Sequence, residues 1–219
     1  MAIGNDEYAT EAVLTSTPMA RKERDLPPLP PGSDQIERWA RQRHLGYEAR
    51  PASKWFRKWE PYDTMVSAEC YYNVVSWPVD GGMAAAAEPW IAPVDSEPLG
   101  RTVLFFVQHP GFSRRAAARG GEHFNTRVTY LENPPPPEVK LGDPSWDRHV
   151  ATFAASPAEA DVAFPRSARQ LLAQWGFVGH IEVRPGGLIF NQIGIEPTPN
   201  HLSGMIEGIR TLVRAFVSR

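Results

Sequence analysis

His180, Glu182 and Arg184 stand at alternate positions near the end of the chain, and their types could work together. On an extended strand, side chains two apart project from one face. The imidazole, carboxylate and guanidinium would then form a row, able to act as a general base with its orienting acid or as part of a metal site. Asp147 and His149 could lie beside them. Plain alternation also predicts a polar strand face, and no second ligand pair has the spacing of a metal motif. The expectation is therefore no cofactor and no metal. Cys70, in a strand-like run between Glu69 and Tyr71, reads as a structural thiol. Gly120-Gly121 and Gly186-Gly187 do not lead from a strand into a helix at phosphate-loop spacing, so they read as turns. Arg114, Arg115 and Arg119 read as a solvated basic loop.

Two other features suit a partner better than a reaction. Arg24, Leu26, Pro27, Leu29 and Pro30 fall within an Arg-x-x-Pro-x-x-Pro pattern of the kind that aromatic grooves bind in polyproline II form. Gly204, Gly208, Thr211 and Ala215 recur along one side of the terminal helix, and all are small. A glycine in a solvated helix costs about 1 kcal/mol relative to alanine. Close approach of a partner, of a second copy or of the protein's own backbone would account for such a stripe.

Composition bounds the alternatives. The chain has 219 residues, of which 42% are hydrophobic and 11% aromatic, enough for one sizeable core. A formal net charge of -2 and a pI near 6.3 give no drive toward nucleic acid or an anionic membrane. The single cysteine excludes an internal disulfide and suits a reducing compartment. No apolar run has the length of a membrane span, and the acidic N-terminus does not resemble a secretory leader, so the expected location is cytoplasmic.

The elements that must position these residues are legible in outline. Residues 1–32 are polar and then proline-rich, an extended tail that offers the core little; residues 33–219 form the body. The body opens with a helix over Ser33–Leu45, capped by Ser33 or Asp34 and closed by Gly46. A strand over Met65–Trp77 follows, then an alanine- and proline-rich loop over Gly81–Gly100. Arg101–His109 reads as a buried strand, Pro110–Glu122 as a mobile loop and Phe124–Leu131 as a strand, and Pro134–Pro137 as a spacer. After a strand over His149–Ala154, Ser156, Pro157 and Glu159 spell a helix start, and Pro165 kinks or divides that helix. His180–Arg184 and Leu188–Ile195 flank Pro185-Gly186-Gly187 as an antiparallel hairpin. Thr198 and Pro199 then start an amphipathic helix whose apolar side carries Leu202, Met205, Ile206, Ile209, Leu212, Val213 and Phe216. The sum is a single α+β domain, an antiparallel sheet covered by helices, in the order α-β-β-β-β-α-β-β-α.

Residues 146–150, Ser156-Pro157-x-Glu159-Ala160, the run from Gly179 to Leu188, and the step Gly46-Tyr47 together resemble a family of bacterial domains of unknown function. That resemblance implies the fold and no activity. The element order is also similar to that of small bacterial secretion chaperones, which is likeness of fold alone. The expected function is a non-enzymatic protein-binding or assembly component, its partner another protein or a second copy. Two alternatives stand beside it: an enzyme or ligand-binding domain using the His180, Glu182 and Arg184 face, and a secretion-chaperone-like or immunity protein.

Overall fold

The computed structural model describes residues 27–52, 70–90, 101–121 and 136–218. Their elements run α1 (Ser33–Gln42), β1 (Gly46–Glu48), β2 (Cys70–Val79), β3 (Gly82–Trp90), β4 (Leu104–Gln108), β5 (Ala116–Gly120) and β6 (Glu138–Val139). Then come α2 (Pro144–Asp147), β7 (Val150–Phe153), α3 (Pro157–Ala163), α4 (Arg166–Gln174), β8 (Gly179–Arg184), β9 (Gly187–Gln192) and α5 (Pro199–Val217). The nine strands form one sheet in the order β1-β2-β3-β4-β9-β8-β5-β7-β6, and every pairing is antiparallel. The α+β class holds, with more strands than the sequence pattern suggested.

Two of the added strands occupy stretches that read as loops. β3 carries Ala84–Ala87 and β5 carries Ala116–Ala118, residues with little intrinsic preference for a strand. Packing decides the matter. Ala84 lies between Trp77 and Val107, and Ala86 between Val75 and Phe105, so small side chains fill the gaps between large ones. In the same way Ala116 stands beside Val183 and Ala118 beside Ile181. The expected strand over Phe124–Leu131 lies outside the described residues, as do residues 65–69 and 91–100 of the stretches expected around β2 and β3.

The helix ends show which local signals governed. Ser156 accepts from the Glu159 amide and Thr198 from the His201 amide, each followed by proline at the first helical position, as their sequences require. Pro165 separates α3 from α4. At α1 the expected caps are not used. The cap residue is Gly32 at φ 82°, and the Ser33 hydroxyl turns back to donate to the Pro30 carbonyl at 2.7 Å. Nor does Gly46 stop that helix: His44 takes the left-handed turn at φ 55°, and a Cβ on Gly46 would press on the Ser76 hydroxyl across the ladder. Gly186, at φ 80°, supplies the turn between β8 and β9.

The main core lies between the sheet and the helices. One face of the strands contributes Val75, Trp77, Phe105, Val107, Ile181, Val183, Leu188 and Phe190, and every helix adds to it. The α5 residues Leu202, Ile206, Ile209, Leu212 and Val213 are buried there, and Met205 and Phe216 pack at its rim. At roughly 1.5–3 kcal/mol per buried large side chain, this docking outweighs any propensity term in α5. The other face of the sheet buries Tyr71, Val74, Ala85, Ala87, Leu104, Phe106 and Ile189, a second apolar cluster without a helical member.

Candidate functional site

β8 divides its side chains as alternation requires. Ile181 and Val183 enter the helix-covered core, and His180, Glu182 and Arg184 stand on the opposite face. His180 and Glu182 are only 2% and 1% exposed, and His180 Nε2 lies 3.5 Å from Glu182 Oε2. Arg184, beside the turn, is half-buried. The register adds neighbours that sequence spacing did not suggest: Arg119 of β5 stands across from His180 on one side and Asn191 of β9 on the other. Arg119 lies over the Phe153 ring at 5.8 Å. Asn191 donates to the Thr102 hydroxyl at 2.9 Å and to the Val103 carbonyl at 3.0 Å. An imidazole next to a carboxylate can hold or pass a proton, though 3.5 Å is beyond the usual reach of a charged hydrogen bond. Asp147 does not join the group, since its carboxylate accepts from the amides of Leu141 and Asp143, and His149 is exposed in the turn before β7. Among the described residues no set of three or more His, Cys, Asp or Glu is placed to hold a metal ion. Cys70 is half-buried in β2. Arg114 and Arg115 are exposed, whereas Arg119 belongs to β5 and not to a loop.

A second polar cluster, missed in the sequence, joins the start of β2 to the end of β3. The Glu88 carboxylate is buried and receives Arg101 in a fork, Nε to Oε1 at 2.6 Å and Nη2 to Oε2 at 2.7 Å. Asn73 donates to Glu88 Oε2 at 3.0 Å, and the Tyr47 hydroxyl lies 2.9 Å from Asn73 Oδ1. Asn73 sits in a bulge of β2 at φ 51°, a left-handed conformation that asparagine tolerates better than most residues, and the bulge turns its amide inward. Burial, then Glu37, pushes the Tyr47 phenol up to about 12. The cluster reaches the proline-rich segment. Arg101 Nη1 donates to the Pro31 carbonyl at 2.8 Å, and the Tyr72 hydroxyl to the Pro27 carbonyl at 2.9 Å. Within that segment Pro27 and Pro30 are half-buried, and Pro28 and Leu29 are exposed. Arg24 and Leu26 lie outside the described residues.

The small residues of α5 do not share one environment. A Cβ on Gly204 would meet nothing within 4 Å, whereas one on Gly208 would lie 3.6 Å from the Trp175 ring that follows α4. Thr211 is exposed and donates to the Glu207 carbonyl, and the Ala215 carbonyl accepts from the Ser167 hydroxyl of α4. Half of the stripe therefore faces α4, and half faces outward.

No family model matches this chain, and no curated protein matches it; an uncharacterised family is compatible with both results. Among solved structures, the crystal structure of the mycobacterial trehalose monomycolate transport factor A, TtfA, is similar. The match has a TM-score of 0.54 at 15% sequence identity and covers 85% of this chain and 93% of that one. At that identity the likeness is one of fold. No helix among the described residues is long and apolar enough to cross a membrane.

Proposed function

We propose that this protein is a non-enzymatic component that works by binding another protein within a larger assembly. The observation that carries the reading is the match of its fold to TtfA, which is named a transport factor, over 85% of this chain and 93% of that one. The cargo in that name is said of TtfA alone. The proteins gently cross-linked in their native cells should test it. The expected result is a species heavier than the 24.4 kDa chain, with one partner in fixed ratio, that the two purified proteins rebuild. A chain found throughout as a monomer, with a turnover lost on Glu182→Gln, would overturn it.

A second reading is favoured by one observation, the burial of His180 beside Glu182 on the sheet face opposite the helix-covered core. Under it that face takes a small polar ligand. Such a ligand should raise the melting temperature of the parent protein and leave that of His180→Gln unmoved.

A further inference from the structure

We propose that Glu88 and Arg101 form a clasp, and that residues 27–31 are a strap which this clasp holds over the Tyr72/Glu88 rung of the sheet and which detaches as a unit before the domain unfolds. The strap's composition dictates how it can be held. Pro27, Pro28, Pro30 and Pro31 have no amide hydrogen, so the backbone there can almost only accept hydrogen bonds. The sheet presents donors to match: Arg101 Nη1 reaches the Pro31 carbonyl at 2.8 Å and the Tyr72 hydroxyl the Pro27 carbonyl at 2.9 Å. Two of the Arg101 nitrogens, Nε and Nη2, are fixed on Glu88, whose second oxygen is steadied by Asn73, and the third, Nη1, is thereby aimed at the strap. One guanidinium therefore couples a buried carboxylate to a surface segment.

The strap is a poor hydrophobic anchor. Leu29, its one aliphatic side chain outside the prolines, is 41% exposed. Among the described residues its attachment rests on a few polar bonds, while the sheet beneath rests on an extended core, so the two have separate stabilities. When the strap is closed, Pro27 and Pro30 are partly covered by the body; release would present both. This goes beyond the proposed binding role, and it can fail or stand without it.

Tyr72 reports on the strap directly, because it is almost wholly buried and its hydroxyl holds Pro27. The full chain is treated with tetranitromethane at increasing urea, nitrated tyrosines are mapped by mass spectrometry, and far-UV circular dichroism follows the whole fold. In the parent, Tyr72 should become reactive at urea concentrations below the cooperative transition. In Arg101→Met, which keeps the stem and removes the donors, Tyr72 should react about tenfold faster without urea, the change expected when one charged hydrogen bond is lost. If Tyr72 of the parent becomes reactive only together with global unfolding, or if a folded Arg101→Met shows the parent's rate, there is no separable strap. Should Arg101→Met fail to fold, the parent's urea profile decides alone.

Discussion

Arg169 and Arg101 each tie segments of this protein together, and they do so with inverted burial. At Arg169 of α4 the cation is buried, 7% exposed, and its partners Asp143 and Asp161 lie toward solvent at 20% and 63%. At the clasp the carboxylate is buried, Glu88 at 6%, and the Arg101 side chain is 37% exposed. Arg169 also donates to the Phe164 carbonyl at 2.6 Å, closing the break between α3 and α4, and so holds the helical layer to itself. Arg101 holds a surface segment to the sheet. The difference teaches where a broken bond leaves its charge: removing the partner of a buried carboxylate strands that charge, whereas removing a buried cation releases carboxylates that water can reach.

The largest effect should therefore come from Arg101→Met. It leaves Glu88 with Asn73 as its remaining donor among the contacts described, and urea unfolding should show a loss of roughly 2–4 kcal/mol, near the lower end for broken buried pairs because Arg101 itself is partly exposed. Glu88→Met in the same chain should restore much of that loss, since no stranded charge remains. If the single and double variants are equally unstable, the cost lies in packing and the contrast fails.

Arg169→Met should cost less, roughly 1–3 kcal/mol, chiefly from the buried Phe164 carbonyl left without its donor. A loss larger than that of Arg101→Met in the same urea series would reverse the ranking drawn from burial.

How much of this contrast could be read in the sequence follows from the range of each signal. The hairpin at Gly186 and the caps at Ser156 and Thr198 were legible because a turn or a cap is set by residues within a few positions of one another. The strand row of His180, Glu182 and Arg184 was legible for the same reason, by alternation. The clasp was not. Glu88 and Arg101 are 13 residues apart; Glu88 falls where the alanine- and proline-rich composition suggested a loop, and Arg101 at the first position of the next expected strand. Asn73 turns inward only because a bulge shifts its register, which no local pattern announces. β3 and β5 escaped because alanine is chosen there by the size of its neighbours in adjacent strands. Ser33 looked like a cap, but its hydroxyl serves the strap carbonyl of Pro30 instead.

The two knots should also separate by pH. Tyr47 lies next to Asn73 in the clasp cluster and its phenol is raised from 10 to about 12, so the fold favours the protonated form. Its contribution is complete below pH 10 and is lost as pH rises from 10 through about 12. Asp143 of the Arg169 knot is lowered below the usual 3.8, first by the Ser145 hydroxyl and then by Arg169, so its contribution is present above that value and is lost as pH falls through the lower one. Thermal melts across pH should show Tyr47→Phe flattening the alkaline limb and Asp143→Asn the acid limb. Either variant changing the opposite limb would mean that the clusters are coupled.

The smallest effect belongs to Asp161→Asn. Asp161 accepts from Arg169 Nη1 at 2.8 Å, but its side chain is 63% exposed, so water takes over when the charge is removed. Arg169 keeps Asp143 and the Phe164 carbonyl, and its own cost of burial is therefore still met. An exposed member of an ion pair is worth about 0–1 kcal/mol, and asparagine retains an acceptor oxygen, which places the change at the low end of that range. Urea midpoints for Asp161→Asn and the parent should differ by little more than the error of the fit. A loss approaching that of Arg169→Met would show that the guanidinium depends on its exposed partner as much as on its buried one, and burial would then no longer explain why the two knots differ.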